Sequence, residues 1–133
     1  MRYAAAMNLA IAILLVAVGA ILALPLAGVV DAAALTRLYG IAFDDANLVI
    51  LMRHRAVMFG LLGAFVIYAA FKPALRVPAF VAATVAIGAF LWIALSAGGY
   101  NAALRTVVVA DVVALGLTVV AIALHAMARR AAR

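Results

Sequence analysis

Cysteine is absent from this 133-residue chain. That excludes disulfides, thiolate catalysis, thiol-linked haem and Cys-based zinc sites. Charge is scarce as well: 11% of residues are Asp, Glu, Lys or Arg, against about a quarter in an ordinary soluble domain. No long polar stretch is available to build a large extramembrane domain. The two histidines, His54 and His125, are too far apart for metal-ligand spacing. No Ser-His-Asp order suits a nucleophile, and no helix-borne carboxylate pair suits di-metal chemistry. Gly98-Gly99-Tyr100-Asn101 is a tight turn that lacks the Lys and Ser/Thr of a phosphate loop. Neither a catalytic residue nor a cofactor is implied.

What the chain does have is hydrocarbon. Hydrophobic residues make up 73% of it, and mean hydropathy is +1.37. A soluble enzyme, a disordered tail and a nucleic-acid reader are thereby excluded. The net charge of +6 does not reverse this. The ten basic residues sit at the ends of apolar runs rather than on one face. That is the pattern of topology signals and of contact with anionic lipid headgroups.

Crossing the hydrocarbon core takes about 20 apolar residues. Four segments meet this, so the expected fold is an all-α, four-helix transmembrane bundle forming one domain over residues 1–133. The first span reads as 4–26, stopped by Pro25 and Gly28. It far exceeds a signal-peptide core of about 7–15 residues, so a retained span is expected even though Ala32-Ala33-Ala34 could mimic a cleavage site. The second reads as 46–71, with Asp44 and Asp45 as N-cap residues. It carries Arg53, His54 and Arg55 inside it. The third fits 78–97, from Pro78 in the first turn to the Gly98-Gly99 stop. The fourth runs over 103–128 and carries Asp111. Between the first two, residues 27–45 form a loop in which 32–39 can make a short interfacial helix. Tyr39 and Phe43 would suit headgroup depth there.

Lys and Arg set the orientation. With the N-terminus inside, the inner side holds Arg2, Lys72, Arg76, Arg129, Arg130 and Arg133. The outer loops hold Arg37 and Arg105, to which the embedded Arg53 and Arg55 can be added. Both termini are therefore expected in the cytoplasm.

Helices in lipid associate through close packing and polar contacts, so small residues mark buried faces. Ala56, Gly60 and Ala64, flanked by Gly63, form such a stripe in the second span. Arg53 lies two turns before Gly60 and shares its face. Arg55 lies with the bulky Phe59, Leu62 and Val66. The expectation is that Arg53 points into the bundle and Arg55 outward. Asn8, Ala12, Gly19 and Ala23 form a comparable stripe in the first span, and Asp111, Ala114, Thr118, Ala121 and His125 in the fourth.

Arg53 lies about 10 Å from the outer end of its helix and Asp111 about 12 Å from the end of its own, at 1.5 Å per residue. Matching depth predicts an Arg53–Asp111 ion pair, with His54 beside it. Arg55, Tyr100, Asn101 and Arg105 belong to the same outer cluster. Such a cluster can be a structural clamp between two helices. The alternative is a binding pocket in which an arginine holds an anionic or carbonyl group while Asp111 or His54 handles a proton. A proton path along Asp111, Thr118 and His125 would need water between sites about 10.5 Å apart.

Two strings carry a resemblance: NLVILMRHRAVMFGLLGAF (47–65) and SAGGYNAALRTVVVADVVAL (96–115). They look like a set of small four-span bacterial membrane proteins without assigned function, and the layout is loosely similar to DoxX-like proteins. Some of that set carry the label phosphopantetheine adenylyltransferase. That soluble enzyme has an HxGH motif, which neither His54-Arg55-Ala56-Val57 nor His125-Ala126-Met127-Ala128 matches. Small multidrug exporters are similar in size, yet the first span here has no Glu. The Asn and aromatic pattern of fluoride channels is also missing.

The implied roles are therefore an accessory or scaffold protein held by the Arg53–Asp111 pair, a binder of a small molecule, lipid or quinone (or a minor membrane enzyme), or an oligomeric small transporter. The expected partners are the bilayer and a membrane protein or second copy, not nucleic acid.

Overall fold

Each break in the apolar pattern is a local chain stop with an identifiable cause. Proline at residue 25 has no N–H to continue an α-helical ladder. α1 (Arg2–Ala23) therefore ends before it and tightens into a 3-10 turn over Leu24–Val29, rather than continuing as α-helix to residue 26. α2 (Ala32–Tyr39) occupies the span expected for the short loop helix. The Asp31 carboxylate caps it, accepting from the Ala34 amide at 2.7 Å. Gly40 ends it at φ 66°, a left-handed conformation that suits glycine. α3 (Ala46–Phe71) starts where expected, with Asp45 as the cap that accepts from the Asn47 and Leu48 amides. α4 (Arg76–Ala97) starts two residues before Pro78. Proline is tolerated there because first-turn N–H groups have no helical partner. α5 (Ala102–Ala131) follows the Gly98-Gly99 turn, in which both glycines have positive φ.

These elements come from a computed structural model, which describes residues 2–131. Arg133, one of the expected inner-side cations, lies outside the described residues. No strand occurs among the described residues. Four helices are long and apolar enough to cross a membrane, so the protein is an all-α, multi-pass membrane bundle. Around the bundle the neighbours run α1, α3, α4, α5 and back to α1. The core lies between them and is drawn from Ile11, Leu15, Val18 and Leu22 of α1, Val66, Ala69 and Ala70 of α3, Ala83 and Ile87 of α4, and Ala114 and Ala121 of α5.

The close approach is between α1 and α3. A Cβ placed on Gly63 would stand 2.5 Å from the Gly19 carbonyl oxygen, and one on Gly19 would stand 2.7 Å from the Gly63 oxygen. The small-residue edge of α3 thus faces α1, not the bundle centre. Ala56 and Gly63 are buried on it, but Ala64 is exposed. In α1 the same division holds. Gly19 meets α3, whereas the interior face is the Ile11, Leu15, Val18 and Leu22 row. Two helices touch where side chains are small. The space among four helices must instead be filled, and bulky residues fill it.

A second core sits under α2. Leu35, Tyr39 and Phe43 are buried against Val49, Met52, Leu104 and Val107. Tyr39 and Phe43, expected at headgroup depth, are thus packed inside the protein rather than on its surface. They hold α2 onto the ends of α3 and α5.

Candidate functional site

Residues 53 and 55 are separated by about 200° around a helix, so only one can face the bundle. The inward residue is Arg55, and Phe59, Leu62 and Val66 follow it into the interior. Its Nη1 donates to the Tyr39 hydroxyl at 2.7 Å. Its guanidinium carbon lies 4.7 Å from the Phe59 ring centre, within cation–π range. Tyr39 and Phe90 rings lie slightly farther off. Arg53 keeps the face it shares with Gly60, but that face abuts the end of α1. Its Nε donates to the Val29 carbonyl at 2.8 Å, at the end of the 3-10 turn. Chain ends leave such carbonyls without partners, and a cationic donor serves them well.

The expected Arg53–Asp111 ion pair is consequently not formed. Asp111 is 9% exposed, on the buried row with Ala114, Thr118 and Ala121 that the fourth span predicts. Among the described residues no cation lies within 4.0 Å of its carboxylate and no donor within hydrogen-bond distance. Arg55 is the cation near enough to act on it electrostatically.

Arg55 and Asp111 share one cavity of about 470 Å³. Its walls come from the end of α1 and the 3-10 turn, α2, α3 and α5. Ile21, Leu22, Leu24, Phe59 and Val107 make it largely apolar, while Arg37, Tyr39 and Thr106 add polar groups. A second cavity of about 520 Å³ shares Tyr39 and Arg55 with the first. Its lining includes Phe43, Met52, Phe90, Tyr100 and Asn101. The Arg55–Tyr39 bridge thus borders two largely apolar cavities.

The rest of the expected cluster disperses. His54 and Arg105 are exposed. Tyr100 is half-buried at the second cavity. Asn101 is a joint: its Oδ1 accepts from the Leu104 amide at 2.8 Å and starts α5. Its Nδ2 donates to the Tyr39 and Gly40 carbonyls at 2.9 and 3.3 Å, which ties the end of α2 to α5. On the α5 row, the Thr118 hydroxyl donates to the Ala114 carbonyl of its own helix at 2.7 Å. His125 packs edge-on against Phe80 at 5.6 Å.

One polar centre was not expected. Arg76 counts as a surface cation from sequence, yet it is 4% exposed at the end of the bundle opposite α2. Its Nη1 donates to Asn8 Oδ1 at 2.7 Å and its Nη2 to the Ala70 carbonyl at 3.2 Å, while its Nε has no partner. It joins α1 to the end of α3, where the last helical carbonyls point at it. Spacing gives one usable signal: Arg76 precedes a first-turn proline, so it falls inside the helix rather than in the loop. Asn8→Ala is expected to lower stability by about 1.5–3 kcal/mol, because a buried guanidinium loses its side-chain acceptor. Reversible unfolding in mixed micelles measures this, and an unchanged midpoint would show that Asn8 does not support Arg76.

No protein-family model matches the chain, and neither a curated protein nor a solved structure matches it.

Proposed function

We propose that this protein is a membrane-embedded binder of a small amphipathic molecule of lipid or quinone type. The carrying observation is that Arg55 and Asp111 face one apolar-walled cavity of about 470 Å³ without neutralising each other. Pockets for small ligands typically combine apolar walls with a few convergent polar groups. An ionisable group at membrane depth is expensive unless it is paired or watered, and such groups commonly mark function. A scaffold role drew its support from an Arg53–Asp111 clamp, and with Arg53 turned to Val29 the cavity is the better-supported feature. The site supplies binding and orientation.

The bacterial inner membrane is the proposed location, with both termini cytoplasmic. Charge segregation supports this: all four acidic residues lie in the α2 half, while Lys72, Arg76, Arg129 and Arg130 lie at the other end. The two strings quoted above further suggest kinship with small four-span, DoxX-like bacterial proteins.

Native mass spectrometry of the protein, released from bilayer discs made from its own membrane, tests the binding function. A stoichiometric small amphiphile is expected on the wild type. It is expected to be lost in Ala110→Phe, whose ring would occupy the cavity that Ala110 lines. A bare wild-type protein, or one carrying only another membrane protein, would return the case to a scaffold.

A further inference from the structure

The two charges in the cavity differ in what they still lack. Asp111 is an acceptor with no donor among the described residues. Arg55 has five N–H donors, of which one goes to the Tyr39 hydroxyl. The Asp111 carboxylate opens onto the cavity without a donor of its own, and a ligand that brings donors can supply them there. A purely anionic ligand would satisfy Arg55 but meet the like charge of Asp111. A purely cationic ligand would do the reverse, with Arg37 also on the cavity wall. A neutral carbonyl compound would leave Asp111 without a donor.

Resting on the amphiphile-binding function above, we propose that the cavity takes a zwitterionic head group, with an anionic phosphoester at Arg55 and a primary ammonium at Asp111. Apolar chains run along Ile21, Leu22, Leu24 and Phe59. The guanidinium matches phosphate oxygens through paired donors. The ammonium has three N–H donors, which is what the carboxylate accepts. The head group comes from the lipid bilayer or from a free phosphoester in solution, and the two sources can be separated.

The test uses the full chain in discs of equal phosphatidylethanolamine, phosphatidylglycerol and phosphatidylcholine, read by native mass spectrometry. The wild type is expected to retain phosphatidylethanolamine over either competitor by about tenfold or more, since one charge-assisted contact is at stake. Phosphatidylcholine is the discriminating control, because its quaternary nitrogen has no N–H to give. Asp111→Asn is expected to bring ethanolamine and glycerol lipids to about equal retention. If that variant does not assemble, the comparison of ethanolamine with choline lipid on the wild type decides alone. Displacement of the lipid by soluble phosphoethanolamine supports the head-group assignment and makes the free ester the source; no displacement supports the lipid itself. Equal retention of all three lipids by the wild type, lost in Ala110→Phe, overturns the head-group assignment and leaves amphiphile binding standing. Retention of none of them overturns both.

Discussion

Gly63→Leu is expected to leave no stable folded protein, and Gly63→Ala to lower stability by about 1–3 kcal/mol. A Cβ at that position would sit 2.5 Å from the Gly19 carbonyl oxygen and 2.9 Å from the Ala23 amide nitrogen. These are backbone atoms and cannot rotate aside, so α1 must move away from α3. The loss extends beyond one contact, because the same two helices carry Ile11, Leu15, Val18 and Val66 into the common core. Packing is what holds helices together in lipid, where hiding apolar surface gains nothing. Helix propensity works the other way, favouring alanine by up to about 1 kcal/mol. Gly116 isolates that effect, since a Cβ there meets nothing within 4 Å. Gly116→Ala is expected to be neutral or stabilising by up to about 1 kcal/mol. Reversible unfolding in mixed micelles compares all three. A Gly63→Ala protein as stable as Gly116→Ala would show that the helices are not held at this approach.

The Arg55–Tyr39 bridge gives the second large effect. Tyr39→Phe removes the hydroxyl that accepts from Arg55 Nη1 at 2.7 Å and should cost about 1.5–3 kcal/mol. Arg55→Met removes the same bond and the stacking on Phe59 at 4.7 Å, so it should cost more. The double variant should cost clearly less than the two together, with a coupling of about 1–3 kcal/mol. Arg55→Lys should not rescue fully, because an ammonium lacks the planar face that stacks on a ring. The loss should be concentrated in α2, which Tyr39 holds down. Amide exchange over residues 32–39 is expected to rise more than exchange over the α1–α3 contact. Strict additivity of the two single variants would mean that the bridge carries no energy of its own.

Much of the architecture was legible because lipid imposes simple rules. A chain that must satisfy its backbone internally and remain apolar over the core has little choice but helices of spanning length. The start of α3 followed from Asp45 as its cap, and α2 lies over the 32–39 stretch where a short helix was expected, but the Asp31 cap and the Gly40 stop that close it emerged only in the structure. The Asp111 row was legible too, because small and polar residues recur there at helical spacing. The direction of the arginines was not. Arg53 and Arg55 differ by two positions in one helix, and both stand beside plausible partners in sequence. Small residues correctly marked an interface on α3, but a pairwise one with α1. The interior volume among four helices went to Phe59, Leu62 and Val66, and Arg55 went with them.

The sequence by itself determined that this chain is an all-α membrane bundle, where α2 lies and α3 starts and stops, and that all four acidic residues gather at one end. Those outcomes depend on hydropathy, capping and proline geometry, which act over a few residues. Only the tertiary structure decided which arginine shares a cavity with Asp111, that Tyr39 is buried against α3 and α5, and that Arg76 locks α1 to the end of α3. Each depends on how the helices are rotated against one another. That rotation is set by the Gly19–Gly63 approach and by core volume together, which no single helix contains.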